Sequence, residues 1–435
     1  MGPLVPGGSM KKVVLAWTLG LTAFAAAARA FGAADFDQAT ANPGVQASVP
    51  ADQSVWVSFD RSDLATKQAA KLPLAAPVLS DSRTALYKVH PSMLPVLSEF
   101  MHENFKRCGG FFAYRTKAAA EAAMAPRAKS GASGPYTLDQ QTVATPLMAN
   151  VNEPNIRETI SALAAHNNRY YTSDTGVAAA SWVQSRWQAI AAKIPGASVA
   201  LFKHEGWAQP SVVMTIPGTD KADEIVVLGG HLDSINGWGD NASRAPGADD
   251  NASGIAVLTE SARVLAESGF RPRRTIQFMG YAAEEVGLRG SQDIAESYAS
   301  SGKKVVGVIQ YDMSNFKGSS EEIFLLTDHV DAGLSAFVGH LIDTYVGVKR
   351  STTECGYACS DHASWDGKGY PAAMAFEASF DDMNHALHTE RDTLATTGGD
   401  ASHSVPFTKL AVAFAVELAK SSAGARVTAA SAPIR

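Results

Sequence analysis

From about residue 140 onward, short apolar runs typical of buried strands alternate with stretches of helical periodicity. This alternation predicts an α/β fold in which helices cover both faces of a central twisted, mostly parallel sheet. The predicted strands are 199–202, 212–216, 225–228, 275–278, 305–310, 323–326 and 373–376, and the predicted helices are 156–165, 177–194, 253–267, 291–300, 334–345 and 407–418.

The beginning of the chain has the anatomy of a secretory signal peptide. Lys11 and Lys12 precede an apolar run that ends in small residues, and Ala28-Arg29-Ala30 offers a cleavage site. The run is shorter than the roughly 20 residues that a spanning helix needs, so we expect no stable membrane anchor. We therefore interpret residues 10–34 as a signal peptide of a secreted protein, and residues 1–9 as an added leader.

The segment 35–135 is rich in alanine and ends in a Gly/Ser stretch that is typical of a linker. Its place between a signal peptide and a linker favours a small, removable α+β pro-region. An ordinary accessory domain is the alternative. We expect a catalytic domain over 136–421 and a carboxyl-terminal tail over 422–435.

The charge balance argues against a nucleic-acid partner. The chain has 43 acidic and 37 basic residues, a formal net charge of -6, and no long basic run. An electrostatic footprint for a polyanion is therefore absent. We expect a monomer whose ligands are not polyanions.

The three cysteines favour one disulfide. Cys355 and Cys359 are close in sequence, and an oxidising compartment would let them pair. The alternative is half of a metal site, but a second cysteine pair that would complete a thiolate cage is missing. Cys108 is then left over.

Polar residues capable of binding metal follow three consecutive predicted strands. His231 and Asp233 come after the first strand, Glu284 and Glu285 after the second, and Asp312 after the third. The carboxyl ends of strands in an open α/β sheet form the edge where ligands bind. The sequence therefore predicts that these side chains meet.

Two further sets add to this group. Asp249 and Asp250 lie just before the helix at 253–267, and His388 is followed by Asp392. Carboxylates mixed with imidazoles, without thiolates, favour zinc or a similar divalent ion. Two metal ions account for the number of carboxylates better than one. Each set alone is a weak signal, because an Asp pair before a helix is by default only a cap.

The chain resembles the secreted bacterial leucyl aminopeptidases that carry a co-catalytic zinc pair. The resemblance spans about residues 140–421. It is carried by Gly229-Gly230-His231-Leu232-Asp233-Ser234, Pro246-Gly247-Ala248-Asp249-Asp250-Asn251-Ala252-Ser253-Gly254, Ala282-Ala283-Glu284-Glu285-Val286-Gly287-Leu288-Arg289-Gly290-Ser291, Gln310-Tyr311-Asp312-Met313, Cys355-Gly356-Tyr357-Ala358-Cys359-Ser360-Asp361-His362-Ala363-Ser364-Trp365 and Leu387-His388-Thr389.

The resemblance implies a zinc-exopeptidase fold and a role for each matched residue. Asp249 would bridge two Zn²⁺ ions and be joined to Asp250 by a cis peptide, and Asp233 would accept a hydrogen bond from the imidazole of His231. Glu284 would be the general base and acid, and Tyr357 would bind the developing oxyanion. The other zinc ligands would be Glu285 and His388 at one ion and His231 and Asp312 at the other. The pattern His-Thr followed by Asp-Thr-Leu favours His388 over His362 and His385 as the ligand.

The resemblance further implies peptide substrates with a free N-terminus and a bulky apolar first residue. An apolar pocket would be lined by Met313, Leu326, Met374, Phe376, Phe380, Met383 and Leu387. The competing interpretations are a single-zinc aminoacyl cyclase, a carboxypeptidase, and a non-catalytic binding module of the same fold. The cyclase and the binding module predict a broken ligand set, and the carboxypeptidase predicts a cationic cluster.

Overall fold

The computed structural model describes residues 54–64, 71–72, 74–105, 109–125, 136–237 and 242–422. The predicted leader and signal peptide, Cys108, the Gly/Ser linker and nearly all of the predicted tail lie outside these residues. Within the described ranges, no helix combines the length and the apolarity needed to cross a membrane.

The amino-terminal part of the described chain, here called the amino-terminal subdomain (54–125), is a small antiparallel sheet with helices. The sheet has the strand order β2-β3-β1-β4. Its α+β composition agrees with the prediction for this segment. Its elements are β1 (Val55–Asp60), α1 (Arg61–Leu64), β2 (Leu79–Ser80), β3 (Thr84–Val89), α2 (Met93–Phe105), β4 (Phe112–Tyr114) and α3 (Lys117–Met124).

The rest of the described chain is built on an eight-stranded sheet with the order β11-β10-β12-β9-β7-β8-β6-β5. The central strands β12, β9, β7 and β8 are parallel, and β6 and β5 continue the sheet antiparallel at one side. The elements are α4 (Gln141–Met148), α5 (Glu153–Ala164), α6 (Asp174–Ala191), β5 (Ser198–Phe202), β6 (Ser211–Ile216), β7 (Lys221–His231), α7 (Ala252–Ser268), β8 (Arg274–Tyr281), α8 (Arg289–Ser300), β9 (Lys304–Tyr311), β10 (Ile323–Leu326), α9 (Ala332–Leu341), β11 (Arg350–Thr353), α10 (His362–Asp366), β12 (Ala372–Phe376) and α11 (Ser404–Ala419).

The central strand β7 is apolar on both sides because helices cover both faces of the sheet. Val226 and Leu228 belong to the large core with α4, α5, α6, α7, α9 and α11. Ile225 and Val227 point to the opposite face, where they belong to a second core with residues of α8 and α10. The predicted α/β fold with a mostly parallel sheet is therefore confirmed.

Helix α7 connects the sheet to the loop that precedes it. The side chain of Asn251 caps the helix by accepting a hydrogen bond from the Gly254 N–H at 2.8 Å, and Gly269, with φ 70°, ends it. A Cβ at Gly254 would lie 2.2 Å from the carbonyl oxygen of Tyr311. Glycine is therefore required for α7 to start beside the end of β9, which brings Asp250 close to Asp312.

Trp187 fixes helix α6 to helix α7 in the large core. The indole is fully buried, and its Nε1–H donates to Thr259 Oγ1 at 2.9 Å. We expect Trp187→Ala to lower the free energy of unfolding by about 3–5 kcal/mol, because it leaves a large cavity in the core. Urea denaturation measures the change. Gln188→Ala, at the exposed neighbouring position, should stay within about 0.5 kcal/mol. A similar loss in both variants would contradict the packing described for Trp187.

Candidate metal centre

The carboxyl ends of the parallel strands converge on one buried cluster of acids and histidines. His231 is the last residue of β7, Glu284 and Glu285 follow β8, and Asp312 follows β9. All four are buried. The structure thus brings together the side chains that were predicted to meet at this edge of the sheet.

His231 and Asp312 form a group with Asp250, from the loop before α7, that we call the His231 trio. The Nε2 atom of His231 lies 3.0 Å from Asp250 Oδ1 and 3.3 Å from Asp312 Oδ1. Ser360 holds the other oxygen of Asp312, because its hydroxyl donates to Oδ2 at 2.6 Å. The ligand atoms of the three members all lie within 4.8 Å of one another.

The second group, the His388 trio, consists of Asp250, Glu285 and His388. The Nε2 atom of His388 lies 3.2 Å from Asp250 Oδ2 and 2.7 Å from Glu285 Oε2. The competing histidines are elsewhere: His385 is exposed and bonds the Asp381 carbonyl, and His362 belongs to neither trio.

Asp250, not Asp249, is shared by the two trios, which corrects the predicted order of this pair. Both oxygens of Asp249 point away from the histidines and accept hydrogen bonds, from the Asn315 N–H at 2.9 Å and from Asn384 Nδ2 at 3.1 Å. The cis peptide bond is also one residue further along than predicted, between Asp250 and Asn251. The physical reason is the path of the loop into α7, which turns the second aspartate of the pair toward the histidines.

Asp233 also differs from its predicted contact. The Nδ1 atom of His231 is 3.1 Å from the backbone oxygen of Asp233 and 3.6 Å from its carboxylate. The carboxylate instead accepts the backbone N–H groups of Glu284 and Glu285 at 3.0 and 3.2 Å. Asp233 therefore orients His231 through its main chain and the two glutamates through its side chain.

The loop that carries Asp250 is held by two buried side chains, Asp392 and Arg169. Asp392 acts through its carboxylate. The carboxylate of Asp392 accepts the backbone N–H groups of Asp249 and Asp250 at 3.1 and 3.0 Å. Burial, followed by the charges of Asp249 and Asp250, raises the pKa of Asp392 to about 8. The sequence marked Asp392 only as a neighbour of His388.

Arg169 was missed by the sequence analysis. Its guanidinium is buried and donates to the backbone oxygens of Leu232 at 2.8 Å and Gly247 at 2.9 Å. It therefore ties the segment after β7 to the loop before α7. A single arginine between polar residues gives no sequence signal for this role.

The cluster has an excess of buried negative charge. Burial and then the charge of Asp250 raise the pKa of Glu285 to about 7. The pKa of Glu284 is also well above its usual value, because the side chain is buried beside Glu285 and Asp361, although His231 opposes the shift. Buried carboxylates of this number require cations or protons.

Several ligand-type atoms of the cluster are buried without a hydrogen bond of normal geometry. They are His231 Nε2, Asp250 Oδ2, both carboxylate oxygens of Glu285, and Asp312 Oδ1. Nitrogen and oxygen atoms that converge in this way fit a divalent ion such as zinc, and a shared carboxylate fits two. His231, Asp250 and Asp312 would hold one ion, and Asp250, Glu285 and His388 the other.

The residues predicted for the apolar pocket form one cluster at the same end of the sheet. Cys355 and Cys359 are joined by a disulfide at its edge, as predicted. Phe324, in the same strand as Leu326, is a further member that the sequence analysis did not name. The other members are Met313, Leu326, Tyr357, Met374, Phe376, Met383 and Leu387, with Phe380 and Val330 packed against them.

Comparisons with known proteins identify the family to which the chain is similar. The family model "Peptidase family M28" matches residues 211–413, which include every member of both trios. A probable leucine aminopeptidase of Trichophyton verrucosum is 39% identical over 314 residues, which cover 71% of this chain and 85% of that protein. Leucine aminopeptidase 1 of Arthroderma otae is 40% identical over 300 residues, which cover 66% and 79%.

The LapA aminopeptidase of Legionella pneumophila has a similar solved structure. It has a TM-score of 0.75 and 29% identity, and the match covers 84% of this chain and 98% of that one. That share of this chain is larger than the segment 136–421. The likeness therefore extends into the amino-terminal subdomain.

The exchange of Asp250 for asparagine tests which aspartate is shared. Asp250→Asn keeps the shape but removes the charge common to both trios. We expect zinc affinity to fall by more than the roughly 10–100-fold that changes outside the ligand shell cost, whereas Asp249→Asn should stay within that range. Calorimetric titration of the metal-free protein measures both. A larger loss for Asp249→Asn would return the shared position to Asp249.

Proposed function

Because the chain belongs to peptidase family M28 and is a zinc aminopeptidase, we propose that it uses two zinc ions to remove bulky apolar residues from the free N-terminus of peptides. The observation that carries the proposal is the position of Asp250, whose two oxygens face two different histidines at 3.0 and 3.2 Å. A carboxylate in this position is suited to join two metal ions.

Metal analysis combined with hydrolysis of leucine p-nitroanilide tests the proposal as a whole. Two zinc ions per chain and release of p-nitroaniline are expected. One zinc ion per chain without peptidase activity would favour the aminoacyl cyclase, and no zinc would favour a binding module.

Peptide hydrolysis at this site needs an activated water molecule and a group that transfers its proton. Two bound zinc ions would supply Lewis acidity, which lowers the pKa of water from about 15.7 toward neutrality and polarises the scissile carbonyl. Glu284 takes the proton of the attacking water and passes it to the departing amine. Its carboxylate lies 4.0 Å from His231 Nε2, and its backbone N–H is held by Asp233. It is therefore fixed beside the His231 trio.

Tyr357 is assigned to the oxyanion. Its ring packs in the apolar cluster against Phe380, with ring centroids 6.1 Å apart. A phenol that reaches the scissile carbonyl from this cluster would offer its O–H to the oxygen that becomes negative when water attacks. The ring itself forms part of the wall that the substrate side chain contacts.

The apolar cluster beside the trios is the pocket for the first side chain of the substrate. Three of its members are methionines, which adapt to side chains of different shape. Leucine, methionine and phenylalanine therefore fit it better than lysine or glutamate.

The protein is assigned to the extracellular space. The signal-peptide pattern over residues 10–34 supports export, and the Cys355–Cys359 disulfide suits an oxidising compartment. The amino-terminal residue of the exported protein, read by mass spectrometry, tests this assignment. Export with residues 10–34 still attached would contradict a cleaved signal.

Glu284→Gln separates proton transfer from metal binding. The amide keeps the shape of the side chain but accepts no proton, so kcat for leucine p-nitroanilide should fall by about 10²–10⁴-fold. Zinc content should stay unchanged. Glu285→Gln, one residue later, is the comparison: it should lower the affinity for zinc in addition to kcat, because Glu285 belongs to the His388 trio. Unchanged kcat in Glu284→Gln would remove it as the base, and loss of zinc would make it a ligand.

Phe380→Ala tests the pocket. Removal of the ring should lower kcat/KM for leucine and phenylalanine p-nitroanilides by about 10-fold. The decrease for alanine p-nitroanilide should be smaller, because the methyl group of alanine makes less contact with Phe380. Asp381→Ala, at the exposed neighbouring position, is the matched control. An equal loss for all three substrates would show that Phe380 does not contact the substrate side chain.

A further inference from the structure

The amino-terminal subdomain contacts two members of the His388 trio, His388 through its ring and Glu285 through its main chain. The imidazole of His102, near the end of α2, lies against the imidazole of His388 with ring centroids 4.8 Å apart. One helical turn earlier, the buried hydroxyl of Ser98 donates to the backbone oxygen of Glu285 at 2.8 Å. One face of α2 thus reaches both residues.

Gly237 completes the contact around His388. Its N–H donates to the backbone oxygen of His388 at 3.0 Å. A Cβ at Gly237 would lie 3.2 Å from Cδ2 of His102, so the three residues are packed closely. His388 is therefore confined on its ring side by His102 and on its main-chain side by Gly237.

The loop that carries Glu284 and Glu285 is held by the same subdomain. The Ala113 N–H donates to the Gly287 carbonyl at 3.2 Å, and Gln292 Nε2 donates back to the Ala113 carbonyl at 3.2 Å. Gly287 has φ 103°, and a Cβ there would lie 2.9 Å from Cβ of Ala113 and from Phe111. The loop thus has the shape that lets β4 approach it.

A shared apolar core fixes the subdomain in this position. Residues of β1, β3 and α2 are buried together with residues of the catalytic part, so that removal of the subdomain would expose a large apolar surface. The members from the catalytic part are Tyr170, Tyr171, Ile235, Ala283 and Val286.

We propose that the amino-terminal subdomain is a working part of the enzyme rather than an inhibitor to be removed, and that His102 and Ser98 are positioning residues for His388 and Glu285. The inference rests on the proposed two-zinc function. Groups outside the ligand shell that orient metal ligands typically change metal affinity by about 10–100-fold. We expect the effect at the ion held by the His388 trio, because the contacts described above reach His388 and Glu285, which both belong to that trio.

Zinc titration of the metal-free full-length chain tests the positioning role. His102→Ala should weaken one of the two binding steps by about 10-fold and leave the other unchanged. His102→Phe, which keeps a ring against His388, should bind nearly as the parent does. Excess zinc should restore kcat in His102→Ala. Glu103→Ala, at the exposed neighbouring position on α2, is the matched control.

Ser98→Ala provides a second route if His102→Ala folds poorly, and it should weaken the same step. Zinc binding by His102→Ala and Ser98→Ala that equals that of Glu103→Ala would overturn the inference while leaving the proposed function intact. A parent protein that binds no zinc would instead overturn the proposed function itself.

Cleavage within 126–135 tests whether the subdomain is removable. A protease site inserted there allows the full chain to fold before it is cut. The two fragments should elute together and keep the parent zinc affinity. Spontaneous release with two intact zinc sites and higher turnover would identify a pro-region and overturn the inference.

Discussion

The carboxylate of Asp250 lies between two buried imidazoles, with one oxygen toward His231 and the other toward His388. Asp312, Glu284 and Glu285 surround it, all of them buried. Carboxylates taken out of water in this number are costly unless positive charge accompanies them. Divalent cations would provide that charge and would account for the ligand-type atoms that face one another without hydrogen bonds. The rest of the site serves to hold these atoms in place.

The fold brings the ligand-type side chains of both trios together. Parallel strands end at one edge of the sheet, so β7, β8 and β9 deliver a histidine, two glutamates and an aspartate to the same point. Helix α7 enters beside β9 because Gly254 has no side chain, and this brings Asp250 to the strand ends. Arg169 and Asp392 then fix the loop from both sides with hydrogen bonds to its main chain. The loop is therefore held by two residues that belong to neither trio.

Much of the fold followed from the periodicity of apolar residues. The bounds of β10 were predicted correctly because four apolar residues form a buried strand between polar ones. Strand β11 was missed because Arg350–Thr353 contains no apolar run and pairs at the sheet edge. Helix α4 was missed because it contains Pro146, and α10 because it is only five residues long. Periodicity therefore predicts buried central elements better than short or peripheral ones.

The candidate site was predictable where ligands follow strands, and less so elsewhere. Asp249 and Asp250 are chemically identical neighbours, and only the path of the loop decides which one faces the histidines. Arg169 and His102 reach the site from distant parts of the chain, and their contacts leave no mark in local sequence. The chemistry of a site is thus easier to predict from sequence than the residues that position it.

Anomalous diffraction at the zinc edge from crystals grown with zinc tests the account most directly. Two zinc peaks are expected, each within about 2.0–2.2 Å of a different carboxylate oxygen of Asp250. One ion should also be bound by His231 and Asp312, and the other by Glu285 and His388. A single peak, or a pair of ions joined through Asp249, would contradict it.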